Sequence, residues 1–195
     1  MSDEMSPAEE WREIGGGLTR RVDGADPESW DAPAPVEEWR ARDVIRHLVD
    51  WFPDFLEAGS GIRLTVATSV DEDPAAAWHE LADGVRDLLD DPATATRVLS
   101  NPHLGEVPLA EAVSRFFTAD VFMHTWDLAR ATGQDDTLDP VRCSRMLAGM
   151  EPVEDLMRSS GQYGPRVAVP PDADPQTQLL GFIGRDPHWK GPVGP

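Results

Sequence analysis

The chain has 195 residues, enough for one domain with a real core, and 40 % of them are hydrophobic, inside the globular range. With 36 acidic against 17 basic residues the formal net charge is −19, a surface that repels phosphate backbones and anionic lipid, so neither nucleic acid nor membrane is expected as a partner. The single cysteine, Cys143, excludes an intramolecular disulfide, no apolar run reaches the length of a membrane span, and the acidic start Met1-Ser2-Asp3-Glu4 has no signal-peptide core; a cytoplasmic protein is expected.

Ser6-Pro7 followed by Glu9 and Glu10 predicts a helix start, with a cap, a proline at the first position and acid in the first turn. Trp11, Ile14, Leu18 and Val22 then recur at three- and four-residue steps and give this first helix an apolar stripe. Gly15-Gly16-Gly17 costs it about 1 kcal/mol per glycine against alanine, so the helix is either closely packed there or locally weak. Residues 23–38 hold Pro27, Pro33 and Pro35 and read as a loop anchored by Trp30 and Trp39. A second helix is predicted from Trp39 to Leu56, with Val44, Ile45, Leu48, Val49, Phe52 and Phe55 on its core side and His47 inside that pattern.

Gly59-Ser60-Gly61 ends the second helix, and residues 62–70 read as a loop. Asp73-Pro74 starts a third helix with Ala77, Trp78, Leu81, Val85, Leu88 and Leu89 as its stripe, and Asp91-Pro92 stops it. Residues 94–107 have room for a short hairpin through Asn101-Pro102-His103-Leu104-Gly105. Pro108 opens the longest helix, to Ala131, lined by Leu109, Val113, Phe116, Phe117, Val121, His124 and Leu128. A fifth helix from Pro140 carries Met146, Leu147, Met150, Val153 and Met157 inward and is kinked or split at Pro152. A short helix from Pro175 closes the chain, and the last six residues are expected to be disordered. The fold class is all-α: a four-helix bundle over residues 1–160 and a helical C-terminal extension over 161–195 packed on it.

Asp120 and His124 stand one helical turn apart and lean the same way, so a carboxylate and an imidazole aim at one point. Two ligands are too few for a divalent metal, and His47, on the apolar stripe of the second helix, is the candidate for the third. Facing helices of a bundle build metal sites from such inward side chains. The competing reading makes both histidines hydrogen-bonded core residues and puts Asp120 at the edge of its stripe, facing water.

The segments Trp39-Arg40-Ala41-Arg42-Asp43-Val44-Ile45-Arg46-His47-Leu48-Val49 and Phe122-Met123-His124-Thr125-Trp126-Asp127-Leu128-Ala129-Arg130-Ala131-Thr132-Gly133 closely resemble the mycothiol-dependent maleylpyruvate isomerase-like, DinB-related metal-binding proteins of actinobacteria. The resemblance continues through Asp31-Ala32-Pro33-Ala34-Pro35 and Gly184-Arg185-Asp186-Pro187. It implies a DinB-like four-helix bundle that binds a divalent metal, zinc above all, with one histidine on the second helix and a later carboxylate-x-x-x-His pair; His47, Asp120 and His124 stand at those positions. There are two departures. The isomerase has a glutamate where this chain has the shorter Asp120, and the extension here is smaller than the isomerase's C-terminal domain, so that enzyme's own substrate is not carried over.

Two imidazoles and one carboxylate leave a coordination position open, the pattern of a catalytic zinc site. Such a site can hold a low-molecular-weight thiol as thiolate, or activate water. The resemblance favours the thiol, with mycothiol as co-substrate and an electrophilic small molecule as its partner, giving S-transfer or isomerisation. A non-enzymatic bundle that binds metal or a small ligand as a sensor or stress protein is the alternative. Asp43, Asp50 and Asp127 lie within a turn of a histidine and are candidates to accept its other N–H. Arg185, His103 and Trp51 are candidates to contact substrate. A homodimer stays open.

Overall fold

The computed structural model describes residues 5–102, 105–159 and 161–191. Helix α1 (Pro7–Asp23) begins in a reciprocal capping box: the Ser6 hydroxyl accepts the Glu9 N–H, and the Glu9 carboxylate takes the Ser6 N–H in return. Helices α3 (Pro74–Asp90), α6 (Pro140–Met150) and α8 (Pro175–Phe182) follow the same rule, each with an aspartate cap and a proline in the first turn. Helix α2 (Ala41–Ser60) starts where Asp43 accepts the Arg40 backbone N–H at 2.9 Å, and it stops at Gly61, whose φ of 72° needs a glycine.

The fourth long helix is continuous but not uniform. Helix α4 (Leu109–Ala112) passes through a π-helical stretch, Val113–Thr118, into α5 (Ala119–Ala131). The wider turns rephase everything downstream, so a single 3.6-residue stripe does not describe the element. In α5 every residue from Val121 to Ala129 is buried, because α1 and α2 pack on it and the C-terminal segment reaches it through Arg185 and Trp189. Its polar members, Asp127 among them, are therefore internal.

Helices α1, α2, α3 and the α4–α5 unit form the bundle, and aromatic stacking fills its centre. The Phe52 ring of α2 lies 3.9 Å from Phe117 and nearly parallel to it, and Trp11 of α1 stacks on the same Phe117 ring at 5.4 Å. The glycine run in α1 has its physical reason at Gly15, where a Cβ would meet the Trp11 indole at 3.0 Å. The expected hairpin forms from β1 (Val98–Asn101) and β2 (Gly105–Pro108), paired antiparallel with Leu99 opposite Val107. Residues 62–67 carry no regular structure.

Pro152 splits the fifth predicted helix: α6 ends at Met150, a 3-10 turn covers Glu151–Val153, and α7 (Glu154–Ser159) follows. Val153 is 44 % exposed and does not point inward, since the 3-10 turn rotates it off the α6 face. Helix α8 packs against α6, and Glu10 ties α6 to the bundle by pairing with Arg142 while accepting the Ser114 hydroxyl. Among the described residues no helix is long and apolar enough to cross a membrane. The architecture is an all-α bundle with a helical C-terminal addition.

Candidate metal centre

His47 projects from the middle of α2 towards the first two turns of α5, where Asp120 and His124 sit. The structure brings the three together: His47 Nε2 is 3.1 Å from Asp120 Oδ2, and His124 Nε2 is 3.5 Å from Asp120 Oδ1. One ligating atom from each of the three lies within 4.8 Å of the others. Donors bound tetrahedrally at about 2.0–2.2 Å stand roughly 3.4 Å apart, so both carboxylate–imidazole spacings suit one shared divalent ion. Side-chain exposure falls from 33 % at His47 through 16 % at Asp120 to 7 % at His124, so the cluster opens at its His47 end.

Behind His124 the group is braced. Asp127 Oδ2 is 2.8 Å from His124 Nδ1, and Arg185 grips the same carboxylate with Nε and Nη2, each at 2.9 Å. Burial opposes ionisation of Asp127, but the Arg185 guanidinium and the bond from His124 outweigh it and hold the carboxyl at about 2. An ionised Asp127 can only accept, so His124 Nδ1 carries a proton and Nε2 is the ring nitrogen that faces Asp120. Burial likewise opposes a charge on Asp120, and the two imidazoles with the Trp51 N–H hold its carboxyl below the usual range. For His124 burial favours the neutral ring, yet the flanking Asp120 and Asp127 raise its pKa.

Two tryptophans complete the wall. Trp51, one turn along α2 from His47, donates its Nε1–H to Asp120 Oδ2 at 3.0 Å, so it orients the carboxylate. Trp39 stacks on His124 with ring centres 5.8 Å apart and leans on His47 at 5.3 Å. Its position is set by a tight loop: Ala34 N–H donates to the Trp39 carbonyl at 2.8 Å, Ala41 N–H donates to Ala32 at 2.8 Å, and Glu38 takes a φ of 65°. A groove of about 780 Å³ runs beside this loop, lined by Pro33, Glu37, Glu38, Trp39 and Trp189.

The other sequence candidates lie elsewhere. Asp43 caps α2 and pairs with Arg46. Asp50 is exposed and lines a crevice with Arg46 and Asp54 on the outer face of α2. Arg185 spends its fork on Asp127, and Arg130 pairs with Asp136. His103 lies outside the described residues. Sequence reasoning missed Trp39 as part of the site; the signal available was its place at the head of the His47 motif.

The profile of the mycothiol maleylpyruvate isomerase N-terminal domain matches residues 11–129, a span that contains His47, Asp120, His124 and Asp127 but not Arg185. The chain is 31 % identical over 156 residues to the uncharacterized protein Rv0738 of Mycobacterium tuberculosis strain H37Rv, covering 78 % of this chain and 83 % of that one. The uncharacterized protein MT0763 of strain CDC 1551 gives the same figures, 31 % over 156 residues. No solved structure matches. The chain therefore belongs to the mycothiol maleylpyruvate isomerase N-terminal domain family.

Proposed function

We propose that this protein binds one divalent metal, zinc by the character of its donors, through His47, Asp120 and His124. It would use the site to transfer a low-molecular-weight thiol of the mycothiol class to an electrophilic small molecule, or to isomerise that molecule through the thiol. The observation that carries the reading is the three-residue cluster itself, with its ligating atoms within 4.8 Å of one another and its His47 end a third exposed. A bound divalent ion would supply Lewis acidity that keeps a coordinated thiol ionised at neutral pH.

The chain's own residues define the rest. Asp127 sets the tautomer of His124, Arg185 keeps Asp127 ionised, and the Trp51 N–H fixes which oxygen lone pairs Asp120 can offer. Trp39 shields both imidazoles from water on one side, which strengthens every charge interaction at the site. Charge counting also favours an anionic co-substrate. The Asp127 and Arg185 charges cancel, Asp120 contributes −1, and a divalent ion would leave +1 for one thiolate to neutralise.

The test is to incubate zinc-loaded protein with mycothiol and a panel of electrophiles and to follow S-conjugates or isomerised product by mass spectrometry. Turnover above a His124→Ala control is expected. Thiol binding without turnover would replace the enzyme by a metal-dependent binding or sensor protein, and absence of both would overturn the reading.

A further inference from the structure

The groove of about 780 Å³ beside the metal centre has no part in the function proposed above, and its two walls come from distant parts of the chain. One wall is the loop of residues 33–39, inside the span that matches the family profile. The other is Trp189 with Gly191, outside that span. Backbone bonds hold both. Ala34 N–H donates to the Trp39 carbonyl at 2.8 Å, and Pro33 forms a β-bridge with Arg40. Trp189 N–H donates to the Asp186 carbonyl at 3.0 Å, and Arg130 of α5 donates to the Trp189 carbonyl. The backbones that carry the two indoles are therefore ordered before any ligand arrives.

The lining is aromatic, apolar and acidic. Trp39 and Trp189 are both half-buried, and among the described residues no ring stacks on Trp189. Pro35 and Val36 add apolar surface between them and the solvent. Asp31, Glu37 and Glu38 bring three negative charges to the groove against the single positive charge of Arg40. Asp31 is engaged by Arg40 and Arg42, each with a nitrogen 3.1 Å from its Oδ1. Among the described residues no cation pairs with Glu37 or Glu38. Lys190 is exposed and does not line the groove. Carboxylates repel an anion, and the negative face of an indole attracts a cation. A small inorganic ion keeps its water and gains little from the indoles, whereas an alkylated ammonium offers them both charge and apolar surface.

We propose that this groove is a binding site for an organic cation, an alkylated ammonium held against Trp39 and Trp189 and balanced by Glu37 and Glu38. Trp39 is common to the groove and the metal centre, since it lines the one and its ring lies 5.3 Å from His47 and 5.8 Å from His124 in the other. A cation in the groove is thus separated from the two imidazoles by a single side chain. The inference stands whether or not a metal occupies the neighbouring centre. Each indole that faces such a cation contributes roughly three- to thirtyfold in affinity.

The experiment titrates tag-free, full-length, ¹⁵N-labelled protein with choline and, separately, with its uncharged isostere 3,3-dimethyl-1-butanol, following the indole N–H signals by NMR. Choline should give saturable shifts of the Trp189 signal, identified by its loss in Trp189→Leu, and should bind at least about threefold more tightly than the alcohol. Trp189→Leu keeps the backbone carbonyl that Arg130 holds and should weaken choline about threefold or more, with its fold checked by circular dichroism. The double variant Glu37→Gln/Glu38→Gln alters only exposed side chains; it should weaken choline about threefold or more and leave the alcohol unchanged. No saturable shift with choline overturns the proposal. Equal binding of choline and the alcohol overturns the cation assignment, and choline affinity within about twofold of the parent in the glutamine variant does the same.

Discussion

Asp127→Asn puts the bracing of the centre to a quantitative test. The wild-type carboxylate is buried, accepts both prongs of Arg185 at 2.9 Å, and accepts a hydrogen bond from His124 Nδ1–H. The amide can keep one acceptor oxygen but loses the charge, which strands a guanidinium whose side chain is only 17 % exposed. Breaking a buried pair from one side costs about 3–5 kcal/mol; the remaining amide contact argues for the lower end, about 3 kcal/mol. For a chain of this size that is roughly a 6–12 °C loss in Tm.

The sign with pH follows from the depressed carboxyl. Against an ordinary value of 3.8, a folded value of about 2 contributes stability that is complete above pH 4 and lost as pH falls through about 2. The wild-type advantage over Asp127→Asn should therefore shrink across that window, by about 2 kcal/mol. Zinc affinity should fall about ten- to a hundredfold, because the amide no longer fixes the His124 tautomer. Urea unfolding across pH and competition with a chromogenic chelator read both effects. A variant that melts within about 2 °C of the parent and keeps zinc within threefold would refute the bracing argument.

Three further outcomes are expected. Trp51→Phe keeps an aromatic ring, a smaller one, but removes the N–H that reaches Asp120, so zinc binding should weaken about tenfold while the fold is retained, by calorimetry on both proteins. Phe52→Ala empties the centre of the stack with Phe117 and should cost about 3–5 kcal/mol in urea unfolding with little change in metal stoichiometry. Gly181→Ala would place a Cβ 2.8 Å from the Val167 carbonyl oxygen, so the extended stretch must shift; faster amide exchange at Val167 and a loss of about 1–3 kcal/mol are expected.

Local signals carried most of the fold. Ser6, Asp73 and Asp139 announced their helix starts because capping is decided within four residues, and the apolar stripes of α1, α2 and α3 are the buried faces. The clustering of His47, Asp120 and His124 was legible because two lie at i and i+4 and the third sits on a stripe that had to face inward. What could not be read is of longer range. The π-helical stretch at Val113–Thr118 leaves no residue pattern, since it depends on how the surrounding helices pack. Asp127, Asp43 and Asp50 are equivalent by spacing, and only Arg185, 58 positions away from Asp127, separates them. Trp39 reaches the centre from an irregular segment, whose course is set by backbone contacts such as Glu38 at φ 65°.

The most direct test of the account is a zinc titration of tag-free protein, wild type beside His47→Ala. The account predicts one ion per wild-type chain and loss of that stoichiometric site in the variant, with an unchanged far-ultraviolet spectrum. A wild-type chain that takes up no zinc, or a His47→Ala chain that binds it as the parent does, would contradict the assignment of His47, Asp120 and His124 as the metal centre.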